Sequence, residues 1–315
     1  MTAIDKKREN NYKLKRYNLI VVVLLSILLL TTHTACTKNV AEKTGTSKPE
    51  PVGSSINEEV EDIPVNLINA SGDTVQDRIR VPEGFTRIKA EDASFGDYLR
   101  NLPLKPDGSE IKTFNGETRI TDSYAAVLDI DVGDRDLQQC ADAIIRLRAE
   151  YLYSLRQYEK IHFNFTNGFN ADFPTWMSGK SIKVVGNEAK WIKNASETSS
   201  YSSFRRYLDM VFAYAGTLSL SKEMTRIPLE EMSIGDVFIK GASPGHGIII
   251  LDMARNEKTG EKIFILAQSY MPAQDIHIVK NPEDDEISPW YSADIDRSLI
   301  TPDWEFEKDQ LMRFK

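Results

Sequence analysis

The chain predicts an α+β fold, on three observations. Two long segments carry apolar residues at helical spacing, four apolar strands follow one another between residues 236 and 281, and no Pro- or Gly-rich break or internal repeat separates Val65 from Lys315. Helices come first and antiparallel strands later, which fits one globular domain over 65–315. An apolar share of 41% supplies enough material for a sizeable core.

The first 35 residues stand apart. "MTAIDKKRENNYKLKRYN" carries six Lys or Arg, "LIVVVLLSILLL" is a twelve-residue apolar run, and "TTHTAC" ends in small residues and a cysteine. The run is shorter than the roughly 20 residues of a membrane span and is followed directly by polar Thr and His, so 1–35 reads as a secretion signal rather than a retained anchor helix. Residues 36–64 lack aromatics and are rich in Pro, Ser, Thr and Glu, the composition of a flexible tether that ranges on the order of 25–30 Å. The full chain has a formal net charge of −8, and loss of the basic leader makes the remainder more acidic still. Nucleic-acid partners, held mainly by phosphate neutralisation, are therefore not expected.

Within the folded part, "SFGDYLRNLPL" predicts a short helix capped by Ser94 and stopped at Pro103, and "YAAVLDIDVG" a strand closed by Gly133. "DRDLQQCADAIIRLRAEYLYSLRQYE" predicts a long helix, capped by Asp134 or Asp136 and beginning near Leu137. "KIHFNFTNGF" alternates, with Ile161, Phe163 and Phe165 on one face, as a half-buried strand does. "SSYSSFRRYLDMVFAYAGTLSLSKEM" is a second helical pattern broken at Gly216. The strands "DVFIKG", "GIIILDMA", "KIFILAQSY" and "DIHIVKN" follow, separated by turn chemistry at "SPG", "NEKTGE" and "MPAQ".

Two residues stand out for chemistry. Cys140 falls at the head of the long helix, where unsatisfied N–H groups favour a thiolate and offer sites for an oxyanion. His246 follows the loop "KGASPG" and opens a strand, at a rim that a thiol and a substrate can both reach. Period-two alternation places His246, Ile248 and Ile250 on one face and Phe264, Leu266 and Gln268 on one face of the next strand. Antiparallel pairing then brings the Gln268 amide to the imidazole, completing a thiol, base and orienting group. In this reading the thiol pKa falls below its free value of about 8.5. The competing reading is an inert core cysteine, since Cys140 shares a helical stripe with Ile144, Leu147 and Tyr151. His162 and His277, placed on polar strand faces, are the other candidates for the base.

Other chemistries find less support. "SGKS" at 178–181 matches only the tail of a phosphate loop, with Pro174 where the first Gly belongs and no strand before it, and reads as a turn. No "HExxH" or "GxSxG" occurs, and "DIDVGDRD", with four carboxylates, lacks the spacing of an EF-hand loop. Neither a cofactor nor a metal is expected.

Three resemblances add to this. Thr34 and Ala35 before Cys36 resemble the lipobox of bacterial lipoproteins, with His33 where that family usually carries Leu. This implies lipidation at Cys36, a membrane partner through that anchor, and, with Thr37 in place of the retention signal Asp, an outer-membrane location facing the periplasm. Cys140 is then the only free thiol of the mature chain. The order of a helix-head Cys, then "GDVF", a loop and a strand-opening His, then a polar residue on the next strand, resembles the papain-like NlpC-type cell-wall peptidases and amidases over about 134–280. That resemblance implies a papain-like core, with Cys140 as nucleophile, His246 as base, Gln268 as orienting group, and peptidoglycan peptides as substrates. The sequence departs from it in having "QQCADA" for "DCSG" and no clear match for the aromatic upstream of the cysteine, Tyr124 lying too far away to assign. Over nearly its full length, with "LQQCADAIIRLRAEYLY", "HFNFTNG", "YAGTLSLSKE" and "LAQSYMPAQDIHI", the chain also resembles an uncharacterised family of Bacteroidota lipoproteins. Two functions follow: a cysteine hydrolase acting on amide bonds of cell-wall peptides, or a non-catalytic binding or scaffold lipoprotein that keeps the fold.

Overall fold

A strand such as "GIIILDMA", with apolar side chains on both of its faces, needs cover on both, and the fold supplies it. The structure is a computed structural model and describes residues 66–193 and 196–315. The expected signal, Cys36 and the tether lie outside the described residues. No described helix is long and apolar enough to cross a membrane.

The helices are α1 (Val75–Arg78), α2 (Phe95–Arg100), α3 (Cys140–Ser154), α4 (Phe173–Met177), α5 (Tyr201–Tyr214) and α6 (Thr217–Glu223). The strands run from β1 (Phe85–Arg87), β2 (Tyr124–Val127), β3 (His162–Asn164), β4 (Asn170–Asp172), β5 (Lys180–Val185), β6 (Glu188–Lys193), β7 (Thr225–Arg226) and β8 (Val237–Lys240) to β9 (His246–Asn256), β10 (Lys262–Gln268), β11 (His277–Val279), β12 (Trp290–Ser292), β13 (Ser298–Ile300), β14 (Glu305–Glu307) and β15 (Leu311–Arg313). The α+β class is as the sequence predicts. Ser94 caps α2, its Oγ accepting from Asp97 N at 3.1 Å, and the second helical pattern breaks into α5 and α6 around Gly216.

A nine-stranded sheet carries the fold, in the order β2-β11-β10-β9-β8-β15-β7, with β1 also pairing β9 and β12 also pairing β10. Its pairings are antiparallel. Alternation sends Ile249 and Leu251 of β9, with Ile263, Ile265 and Ala267 of β10, toward Ile144, Ile145 and Leu147 of α3. The intervening Ile248, Ile250, Phe264 and Leu266 pack against Tyr291, Leu299, Phe306 and Leu311 of the C-terminal segment. Two cores thus sandwich the sheet. The unit extends past the expected 134–280 at both ends, because β1 and β2 come from before it and β12 and β15 from after it.

The "GD" before β8 serves the fold. Gly235 has φ +91, a left-handed turn that strains any side-chain-bearing residue. Asp236 is buried and accepts from Arg313 Nε at 2.6 Å and Nη2 at 2.8 Å, tying the start of β8 to β15. Deeper in the sheet, the fully buried Asp252 of β9 receives Arg87 Nε of β1 at 2.7 Å and Arg100 Nε of α2 at 2.7 Å, with Met253 N at 2.8 Å. One carboxylate therefore pins two N-terminal elements to the central strand. Asp252→Ala leaves two arginines facing a site with no counter-charge, and we expect it to cost about 3–5 kcal/mol in urea unfolding, against less than 1 kcal/mol for an exposed pair such as Arg226 with Asp309.

Candidate active site

Cys140 is the first residue of α3, three positions later than the expected start at Leu137. The reason lies in the turn before it, where Leu137 N donates to Arg135 O and Gln139 N to Leu137 O, both at 2.8 Å, and hold the backbone out of helical geometry. Asp136 does not cap the helix. Its Oδ1 accepts from Ala273 N at 2.7 Å and Gln139 Nε2 at 3.0 Å, tying the turn to the loop after β10. The acid of the helix start is Asp142, whose Oδ2 accepts from Gln139 N at 3.1 Å.

The later start leaves Cys140 half-buried at the helix N-terminus instead of deep in the core. The backbone N–H groups of Ala141, Gly247 and Cys140 itself stand against the sulfur and pull its pKa down. Burial, followed by the Asp142 carboxyl, outweighs them, so the thiol is pushed up from its ordinary value. This corrects the expected fall. A helix N-terminus contributes about half a unit charge, and here desolvation exceeds it. Asp142, buried and with Oδ1 lacking a partner, is itself raised well above the usual carboxylate range by burial.

His246 opens β9 across from Lys240 of β8. The loop between them is tight because Gly245 carries no side chain: a Cβ there would lie 2.4 Å from both Ala242 O and Thr217 Oγ1. Gly247 allows a second close approach, its missing Cβ leaving room for Ile144 of α3. That approach sets the Gly247 N–H against the Cys140 sulfur, so the thiol abuts the peptide that begins at His246. The imidazole is enclosed by aromatic rings, with centroids at 5.1 Å to Tyr270, 5.3 Å to Trp304 and 5.8 Å to Phe306. Burial lowers its pKa, while the Gln268 bond and Asp303 push the other way.

The β10 register places Leu266 opposite Ile250 and Ala267 opposite Ile249, after a bulge at Ile265/Leu266. Gln268, the last residue of β10, then reaches His246 on a diagonal, with Oε1 2.6 Å from His246 Nε2. An amide oxygen only accepts, so Nε2 carries the ring proton and Nδ1 keeps its lone pair. Cys140 and His246 line one cavity of about 410 Å³, shared with Asp136, Asp142, Tyr270 and Trp304. The three residues singled out in the sequence therefore meet in one place.

Other candidates go elsewhere. His162 is largely exposed on β3 beside Glu223, 3.8 Å away. His277 is buried on β11 opposite Gln268 and edge-on to Tyr124, not on a polar face as expected, because the sheet is covered on both sides. Within "DIDVGDRD", Asp131 pairs with Arg205 and Arg146, and in "SGKS" Ser178 and Gly179 form the turn after α4 while Lys180 and Ser181 open β5. Among the described residues no group of three or more His, Cys, Asp or Glu is placed to hold a metal. What the sequence reading missed is the shell around the imidazole: Asp303, Arg119, Tyr270 and Trp304. Asp303 accepts from Gln268 Nε2 at 2.6 Å and pairs with Arg119, which also lies over the Tyr270 ring at 5.3 Å. The "TPDWEF" segment has no periodicity to mark it; its only signal is a Trp beside an Asp, near the C-terminus.

An α+β domain with a thiol at a helix head and a His–Gln pair on adjoining antiparallel strands is the class that fold and site define. The chain belongs to the family described as Domain of unknown function (4846), whose model matches residues 75–313. No curated protein and no solved structure matches it.

Burial makes His277 a pH-sensitive element of the fold. Its pKa is lowered from 6.5 to about 4, so between those values the unfolded chain takes up a proton that the folded chain refuses. Its contribution is complete above pH 6.5 and is lost as pH falls through the window to about 4, amounting to about 3 kcal/mol. Chemical denaturation across that range should show the wild type losing this much more stability than His277→Gln, which has no proton to take up there.

Proposed function

We propose that this protein is a lipid-anchored cysteine hydrolase with a papain-like core, acting on amide bonds of cell-wall peptides. The observation that carries the reading is the shared cavity of Cys140 and His246, with the His246 ring held by Gln268 at 2.6 Å. The packing of α3 on the antiparallel sheet, thiol at its head and imidazole at the end of the facing strand, supports a papain-like arrangement. The substrate class rests on the resemblance to NlpC-type enzymes. The anchor at Cys36, the membrane partner and the outer-membrane location facing the periplasm rest on the leader sequence.

The resting pair is a neutral thiol and a neutral imidazole, since burial raises the first pKa and lowers the second. Proton transfer then accompanies attack. His246 Nδ1 takes the Cys140 proton as the sulfur bonds to the carbonyl carbon, with the helix-head N–H groups facing the oxyanion. Collapse breaks the C–N bond, and the leaving amine departs with the proton from His246. Water, deprotonated by the same nitrogen, cleaves the thioester to a carboxylic acid and regenerates the thiol. Trp304, Tyr270 and Met271 give the cleft apolar walls, and Asp136 and Asp142 are its acidic lining.

The raised thiol pKa favours one competing reading, a binding or scaffold lipoprotein that keeps the fold without the chemistry. The two differ in what His246 does. Stem peptides from peptidoglycan, incubated with the wild type and followed by mass spectrometry for a new amine, should be cleaved; Cys140→Ala should abolish cleavage and His246→Ala reduce it on the order of 10²–10⁴-fold. Iodoacetamide should label wild-type Cys140 slowly at neutral pH and faster toward alkaline pH, with His246→Ala slower at neutral pH. Absence of cleavage, together with labelling indifferent to His246, would overturn the hydrolase reading.

A further inference from the structure

The side-chain amide of Gln268 has two ends of nearly equal size, so sterics do not decide which end meets His246. Its neighbours do. On the nitrogen side stand two groups that can only accept. Asp303 Oδ2 lies 2.6 Å from Gln268 Nε2, and the Asp303 carboxylate is paired through its other oxygen with Arg119. His277 Nε2 lies 3.5 Å from the same nitrogen. His277 Nδ1 is 3.0 Å from Asp275 O, a carbonyl that must receive a hydrogen, so Nδ1 carries the proton and Nε2 presents its lone pair. The NH₂ group is thus claimed twice, and Oε1 is left for His246.

We propose that Asp303, held by Arg119, together with His277, is the positioning element that fixes the direction of the Gln268 amide and, through it, the tautomer of His246. The inference rests on the role of His246 as base. With the amide turned, an NH₂ faces His246 Nε2, the ring proton moves to Nδ1, and the nitrogen needed to take the thiol proton is occupied. A chain of hydrogen-bond polarity therefore runs from an Arg–Asp pair contributed by segments on either side of the 134–280 region to the imidazole in the cleft. Orientation by an outer partner is how ring nitrogens are commonly assigned in catalytic and metal sites. Here the outer partner acts through a glutamine, which by itself has no preference.

The test reads the tautomer directly. In the full chain labelled with ¹⁵N-histidine and assigned by loss of the His246 signal in His246→Ala, the wild-type ring should show one protonated nitrogen, Nε2. Asp303→Ala should convert it to a mixture with Nδ1–H and slow labelling of Cys140 at neutral pH. Asp303→Asn, which keeps the side-chain shape, carries the same test if the alanine variant does not fold. The discriminating variant is Asp303→Ala combined with Gln268→Glu. A carboxylate accepts at both ends, so the Nε2–H tautomer returns without Asp303, which repair of a merely structural defect would not bring about. A folded Asp303→Ala or Asp303→Asn with an unchanged tautomer, or a folded double variant that stays mixed, overturns the proposal. If the tautomer shifts as described while Cys140 labelling ignores His246→Ala, the positioning role stands and the hydrolase reading falls.

Discussion

The site depends on a single short hydrogen bond, from His246 Nε2–H to Gln268 Oε1, made where two apolar strands end inside a sheet covered on both faces. In water such a bond is nearly exchangeable with solvent and contributes about 1 kcal/mol net; buried, its loss leaves an unsatisfied amide and ring nitrogen at a cost of about 1–3 kcal/mol. The covered sheet therefore makes the bond specific. Everything that buries the two strand ends, from the α3 stripe of Ile144 and Leu147 to Phe306 and Trp304 on the other side, contributes to holding one ring nitrogen protonated and the other free.

The same burial sets the chemistry. A helix N-terminus and three N–H groups at the sulfur argue for a thiolate, and a cleft wall of aromatic rings argues against any charge. The second prevails at both partners, which are raised and lowered toward their neutral forms. In the proposed hydrolase, a neutral pair would attack only as the proton moves, so the direction of the His246 lone pair would matter more than in a preformed ion pair. This is why the Gln268 amide and the groups behind it matter.

Much of this was legible in residue patterns. Period-two alternation in "HGIII" and "FILAQ" put His246 and Gln268 on the same face of neighbouring strands, and the polarity of the loop "KGASPG" placed the histidine at a strand end. The helix around Ile144 and Leu147 was equally visible from its stripe. Its start was not, because Leu137 and Gln139 spend their N–H groups in a local turn that composition does not reveal. The direction of the thiol pKa is hidden from the sequence for a related reason: dipole effects can be read from position in a helix, whereas desolvation depends on what the rest of the chain folds over it. Asp303 and Arg119 lie far from the site in the chain and follow no period, so only the closed structure brings them to Gln268.

The central claim is that His246 presents an unprotonated Nδ1 to the Cys140 thiol. The S–H stretching band of Cys140 reports it most directly, measured by difference infrared spectroscopy in protein carrying Cys36→Ser, so that Cys140 is the only thiol of the chain. A thiol donating to an imidazole nitrogen absorbs at lower frequency than a free one, so the band should lie low in this protein and move up when His246 is replaced by Ala. A band at the free-thiol position, unchanged by that replacement, would contradict the account.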